Sequence, residues 1–145
     1  MPDFTVQQYQ IPADAVKRLG DKRIRVLLAD DHKIVRQGLR SLLQSESDLE
    51  VVGEAANGRQ AIDLAQQCSP DVVIMDIDMP AMNGIEATRI LTKEMSQVKV
   101  IALSIYVEKN AFNEILQAGA TAYLTKGSPV EELLEAIRAC RAKPA

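Results

Sequence analysis

The sequence predicts an α/β fold, a doubly wound parallel sheet of five strands with helices on both faces, in a (βα)5 pattern. Three observations predict it. From Ile24 onward, short apolar runs rich in Val, Ile and Leu alternate with segments of helical period, the rhythm of strands covered on both sides by helices. No internal repeat or low-complexity tract interrupts that alternation. With 145 residues, 47% hydrophobic and 26% charged, the chain fits one domain with one core and lies far from the profile of a disordered polymer.

The elements follow in order. Residues 1–23 are polar, carry Pro2 and Pro12 and show no sustained period, so they read as a flexible N-terminal tail ahead of a domain over 24–143. IRVLLA (24–29) is the first strand. Ile34, Val35, Leu39, Leu42 and Leu43 recur at helical spacing and are expected to form one buried face of the first helix. LEVVGEA (49–55), DVVIM (71–75), VKVIAL (98–103) and TAYLT (121–125) supply the remaining strands, with helices over about 58–67, 84–95 and 107–118 between them. Ser128, Pro129, Val130 and Glu131 combine a capping box with proline at the first helical position, which opens the last helix. Its buried face is Val130, Leu133, Leu134, Ile137 and Cys140. Right-handed crossovers then wind the sheet both ways.

Charge and cysteine usage remove several function classes. A formal net charge of −3 creates no field that would hold nucleic acid. Cys68 and Cys140 lie far apart and His32 is the sole histidine, so no zinc cluster can be assembled and two reduced thiols are expected. No stretch approaches the ~20 apolar residues of a membrane span, and the N-terminal residues lack the apolar core of a signal peptide. The cytoplasm is the default address.

In an open parallel sheet, ligands bind beyond the carboxyl ends of the strands, so the residue after each apolar run is the one to inspect. The first run ends in Asp30 and Asp31, the third in Asp76, the fourth in Ser104 and the fifth in Lys126. Three carboxylates crowded on one rim repel one another unless a cation sits among them, and oxygen-only ligands select a hard ion, Mg²⁺. Lys126 adds a point charge suited to a phosphate oxygen, and Ser104 a hydroxyl that can turn toward the same anion. An aspartate nucleophile in such surroundings can form an acyl phosphate. A single strand-end Asp would be ordinary turn or capping chemistry; the convergence of four strand ends is not. His32 reads as the start of a surface helix without a role of its own, and Met75, Met79 and Met82 as packing around the site, not a soft-metal box.

ADDH (29–32), VVIMDIDMPAMNGIEA (72–87), ALS (102–104) and YLTKG (123–127) together resemble the receiver domain of bacterial two-component response regulators, over roughly residues 24–141. LLADDHKIVRQGLRSLL looks like the NarL/FixJ branch, whose receivers usually precede a LuxR-type DNA-binding domain. The resemblance implies a flavodoxin-like sheet in the order 2-1-3-4-5. It also implies that Asp76 is the phosphoacceptor, that Asp31, Asp76 and the backbone carbonyl of Asp78 bind Mg²⁺ (Mn²⁺ being a substitute), and that Asp30 acts through metal-bound water. Ser104 and Lys126 would contact the phosphoryl group, and Tyr123 would change rotamer as the face built from the fourth helix, fifth strand and fifth helix switches. An aromatic on an apolar strand is otherwise core. The implied partners are a sensor histidine kinase, a second copy meeting through the last helices or the first and fifth, and DNA only through an output domain beyond these residues. The chain is then a regulatory phosphoacceptor that assists its own phosphorylation and dephosphorylation, and not an enzyme.

Two positions depart from the pattern. Gly127 stands where many receivers have proline after the lysine, so the loop is expected to use glycine's wider backbone range. Asp78 is a fourth acid beside the site, and with Tyr106 it occupies a position that tunes acyl-phosphate lifetime in receivers, through charge repulsion and shielding respectively. A second class competes: Asp76, Ile77 and Asp78 form a DxD after an apolar run, similar to the nucleophile motif of haloacid-dehalogenase-type phosphatases, although the residues that follow and the preceding Asp30 and Asp31 fit that family poorly. A nucleotide-binding reading lacks a Gly-rich loop after the first strand.

Overall fold

A computed structural model describes residues 23–105 and 109–142. The sequence expectations for the N-terminal tail and for Tyr106 lie outside these residues. Ten elements alternate: β1 (Ile24–Ala29), α1 (Lys33–Gln44), β2 (Leu49–Ala55), α2 (Gly58–Cys68), β3 (Val72–Asp76), α3 (Gly84–Glu94), β4 (Lys99–Ser104), α4 (Lys109–Gln117), β5 (Ala122–Thr125) and α5 (Val130–Ala142). The strands form one sheet in the order β2-β1-β3-β4-β5, and every pairing is parallel.

Side chains alternate across the strands, so the sheet feeds two apolar layers. Leu27, Ala29, Val73, Met75, Val100 and Ala102 face Ala61, Ile62 and Ala65 of α2, Ala87 and Leu91 of α3, and Ile115 of α4. On the other side, Val26, Leu28, Val72, Ile74, Ile101 and Leu103 meet Leu43 of α1 and Leu133, Ile137 and Cys140 of α5. Each fully buried Leu or Ile contributes about 1.5–3 kcal/mol relative to exposure. Met75 and Met79 are buried and Met82 packs on the same layer, as expected of packing residues. Cys68 and Cys140 are not joined in a disulfide.

Two helix details differ from expectation. The five apolar positions of α1 do not form one buried face: Leu43 is buried, but Ile34 is 84% exposed, and Val35 and Leu42 are also exposed. At 100° per residue these positions span half the helix circumference, more than contact with the sheet can cover. Val35, Leu39 and Leu42 instead line a groove of about 130 Å³ shared with Leu124, Pro129 and Leu133. At the last helix, Pro129 immediately precedes the first helical residue, and the Ser128 hydroxyl lies 2.7 Å from that of Thr125.

Candidate functional site

Register brings the strand ends level. Ala29 pairs with Met75, Asp76 with Leu103, and Ser104 with Thr125, so the next residues, Asp30 beside Asp76 and Lys126 beside Ser104, share one rim. Backbone hydrogen bonds extend the alignment past the strands: Asp30 N–H donates to Ala55 (2.9 Å), Ile77 to Leu103 (3.3 Å) and Lys126 to Ser104 (2.9 Å). The β3–α3 loop is tied down by the Gly84 amide, 2.8 Å from the Ile77 carbonyl. A Cβ on Gly84 would stand 2.0 Å from the Asp76 carbonyl oxygen, so only glycine lets α3 approach the back of the site this closely. Asn83 caps α3 by accepting from the Glu86 amide.

Asp30, Asp76 and Ser104 are buried, at 3%, 4% and 3% exposure. One oxygen of Asp76 accepts from the Asp78 amide at 3.3 Å, while Oδ2 is buried without a hydrogen bond. Lys126 Nζ lies 2.7 Å from Asp30 Oδ2 and 3.4 Å from Asp76 Oδ2. Burial, then the neighbouring Asp30 charge, push the Asp76 carboxyl up to about 6 against the partial relief from Lys126. Asp30 feels burial most strongly too, yet its bonds from Lys126 and from the His32 amide and ring outweigh it and hold the carboxyl below its ordinary value. The same acids raise the Lys126 ammonium against burial. The lysine therefore stays charged, and Asp76 is the under-neutralised acid.

Asp30, Asp31, His32 and Asp76 each offer a ligand atom within 4.8 Å of the others. Three carboxylates, one with a buried oxygen that has no hydrogen bond and only a 3.4 Å ion pair to Lys126, form a donor set that fits a hard divalent cation. Asp31 is exposed at the mouth, as is Asp78. Tyr123 is half-buried on β5, its ring edge-on to Phe112 of α4 with centroids 5.4 Å apart, so it couples the rim to α4.

Sequence reasoning missed three neighbours of the site. His32, read as a mere helix start, places Nδ1 3.1 Å from an oxygen of both Asp30 and Asp31. Arg36 donates to the Asp30 carbonyl at 2.6 Å and to Glu54 at 2.9 Å, bracing the β1 end. Gly84 backs Asp76. The signal for His32 was available in its position next to the acids; the other two act through contacts folded back across a strand-to-helix loop, which periodicity does not encode. Gly127 corrects an expectation: its φ is not positive, so the loop makes no use of glycine's special range.

The model of the response regulator receiver domain matches residues 26–138. The chain belongs to this family. Among curated relatives, the receiver is 45% identical over 116 residues to the transcriptional regulatory protein LiaR of Bacillus subtilis, covering 80% of this chain and 55% of LiaR. It is 40% identical over 115 residues to the response regulator VraR of Staphylococcus aureus, covering 79% and 55%. The chain thus spans about half the length of these relatives. Among solved structures, the signal receiver domain of the NarL response regulator of Mycobacterium tuberculosis superposes with a TM-score of 0.80 at 29% identity, covering 84% of this chain and 99% of that one. A LuxR-family two-component response regulator from Aurantimonas does so with 0.77 at 36%, covering 81% and 84%. These similarities agree with the NarL/FixJ, LuxR-type branch and leave the haloacid-dehalogenase-type reading unsupported. In the receiver, the acids that gather with Asp76 are Asp30 and Asp31, not Asp78.

Proposed function

We propose that Asp76 accepts a phosphoryl group from a sensor histidine kinase or a small phosphodonor, in a reaction dependent on Mg²⁺, with Mn²⁺ as substitute. The observation that carries this is the buried, hydrogen-bond-free Asp76 Oδ2, standing 3.4 Å from Lys126 and among the carboxylates of Asp30 and Asp31. In the transfer, that oxygen forms a bond to phosphorus while the bond from phosphorus to the donor's imidazole nitrogen or acyl oxygen breaks, the electron pair leaving with the donor. Asp31, Asp76 and the Asp78 carbonyl would hold the cation, with Asp30 acting through its water; when bound, it neutralises charge on the phosphoryl oxygens. Lys126 exchanges part of its pairing with Asp30 for the incoming dianion, and Ser104 supplies a hydroxyl donor. Intact-mass analysis after acetyl phosphate and Mg²⁺ treatment tests the assignment: one adduct on the parent and none on Asp76→Asn is expected, and an equal adduct on both overturns it.

Phosphorylation would favour the arrangement with better contacts to the phosphoryl group, read out through Tyr123 on the α4–β5–α5 face and passed to a DNA-binding output domain that controls transcription. The receiver is on this reading a cytoplasmic regulatory phosphoacceptor, not an enzyme turning over a substrate. Among the described residues no helix is long and apolar enough to cross a membrane. Asp78 and Tyr106 would lengthen the acyl-phosphate lifetime by repelling and shielding water; unchanged dephosphorylation half-lives in Asp78→Asn and Tyr106→Ala would remove that role. A homodimer through α1 and α5 is supported by their apolar groove and the exposed Ile34. Sedimentation with and without beryllofluoride tests it, and a monomer in both states counts against it.

A further inference from the structure

The acid pocket contains a nitrogen donor that an oxygen-only account leaves out. His32 is the N-cap residue of α1, yet its side chain makes no capping bond. At α2 and α3 the same position is held by Asn57 and Asn83, each of which accepts from an amide of the first turn. Histidine is not among the favoured capping residues, and here the ring turns back over the acids, with Nδ1 3.1 Å from Asp30 Oδ1 and 3.1 Å from Asp31 Oδ1. Donor atoms on neighbouring corners of an octahedron with bonds of about 2.1 Å stand about 3 Å apart. The spacing to Asp31, the acid placed directly on the cation, matches that edge. Asp76, whose Oδ2 is buried without a hydrogen bond, belongs to the same cluster.

We propose that His32 Nδ1 is a direct ligand of the divalent cation in this pocket, so that the site favours transition-series ions over Mg²⁺ more strongly than carboxylates alone would. The inference rests on the acid pocket being a cation site, as in the proposed function. Mg²⁺ gains little from replacing a water by imidazole, whereas Mn²⁺ and, more so, Ni²⁺ gain increasingly. The metal that loads the receiver would then follow the cell's transition-metal supply as well as its Mg²⁺.

Calorimetric titration of the untagged full chain with Mg²⁺, Mn²⁺ and Ni²⁺ tests this in the parent, His32→Ala, His32→Asn and Asp31→Asn. His32→Asn supplies a side chain able to cap α1 and removes the imidazole, so a loss shared by both His32 variants is not a folding effect. The expected result is a loss of about tenfold or more in Ni²⁺ affinity in both, well beyond any loss for Mg²⁺. Because His32 is the sole histidine, nitrogen-15 spectra contain one imidazole, and Zn²⁺, a diamagnetic probe, should move the Nδ1 resonance to a metal-bound position. Equal Ni²⁺ affinities with an unmoved Nδ1 would reduce His32 to a hydrogen-bonding neighbour and overturn the inference, while Mg²⁺ binding lost in Asp31→Asn would leave the receiver reading intact. A parent that binds none of these ions overturns both.

Discussion

Lys126 Nζ stands 2.7 Å from Asp30 Oδ2, an ion pair 96 residues apart in sequence that closes the sheet's functional rim. It leaves Asp76, at 3.4 Å from the same ammonium, as the acid with charge to spare. That imbalance governs how the protein should respond to pH and to loss of the lysine.

Asp76 is held at about 6, above its ordinary 3.8, so the folded state grips this proton more tightly than the unfolded chain does. Stability from this group is complete below pH 3.8 and is lost as pH rises through about 6. Asp76→Asn should therefore be more stable than the parent at pH 7 in chelator, by roughly 2–3 kcal/mol, the gap closing toward pH 4. Urea denaturation across pH checks it. Adding Mg²⁺ should narrow the gap by stabilising the parent; equal stability at every pH would contradict the account.

Lys126→Ala removes the one cation paired with both buried acids among the described ion pairs. We expect a loss of about 3 kcal/mol at pH 7, smaller at pH 4.5, where the raised Asp76 carboxyl is protonated. Divalent cation should recover part of it. Urea midpoints with and without Mg²⁺ measure both effects.

Two glycines should respond oppositely to alanine. At Gly84 the new Cβ meets the Asp76 carbonyl at 2.0 Å, and backbone on both sides cannot yield, so Gly84→Ala should cost about 3 kcal/mol or more. At Gly127 a Cβ meets nothing within 4 Å and φ is not positive, so Gly127→Ala should be neutral or stabilising by about 0.5 kcal/mol. Thermal melts of the pair decide it.

Thr88 on α3 is fully buried and its hydroxyl has no hydrogen-bond partner. Thr88→Val keeps the shape and removes the orphaned polar atom, so a gain of about 1 kcal/mol is expected. A loss of similar size by chemical denaturation would show that a bound water satisfies this oxygen.

The sheet was legible because parallel strands buried on both faces must be written as apolar runs: β1 and β2 fall on the predicted residues, and β3 and β4 lie one residue later. That one-residue shift places Asp76 and Ser104 inside their strands, held by ladder bonds, and not just beyond them. Asp30, Asp76, Ser104 and Lys126 were legible as a rim because strand ends and register follow from the alternation. The apolar face of α1 was misread because period reports which side of a helix is apolar, not whether a neighbour covers it. Arg25 shows the converse limit. A charged residue inside an apolar strand, it is buried at 6% exposure because its guanidinium reaches the carbonyls of Cys68 and Ser69 at the end of α2, partners that no local pattern announces.

The proposed phosphoryl pocket draws its parts from the ends of β1, β3, β4 and β5, so nearly the whole receiver must be laid down before it exists. A nascent polypeptide that has emerged only as far as α4 carries Asp76 but not Lys126, and without β5 docked along β4 there is nothing to seat the lysine. On the proposed function, synthesis would withhold signalling competence until β5 has joined, and a ribosome-tethered fragment ending near residue 118 should stay unmodified by acetyl phosphate.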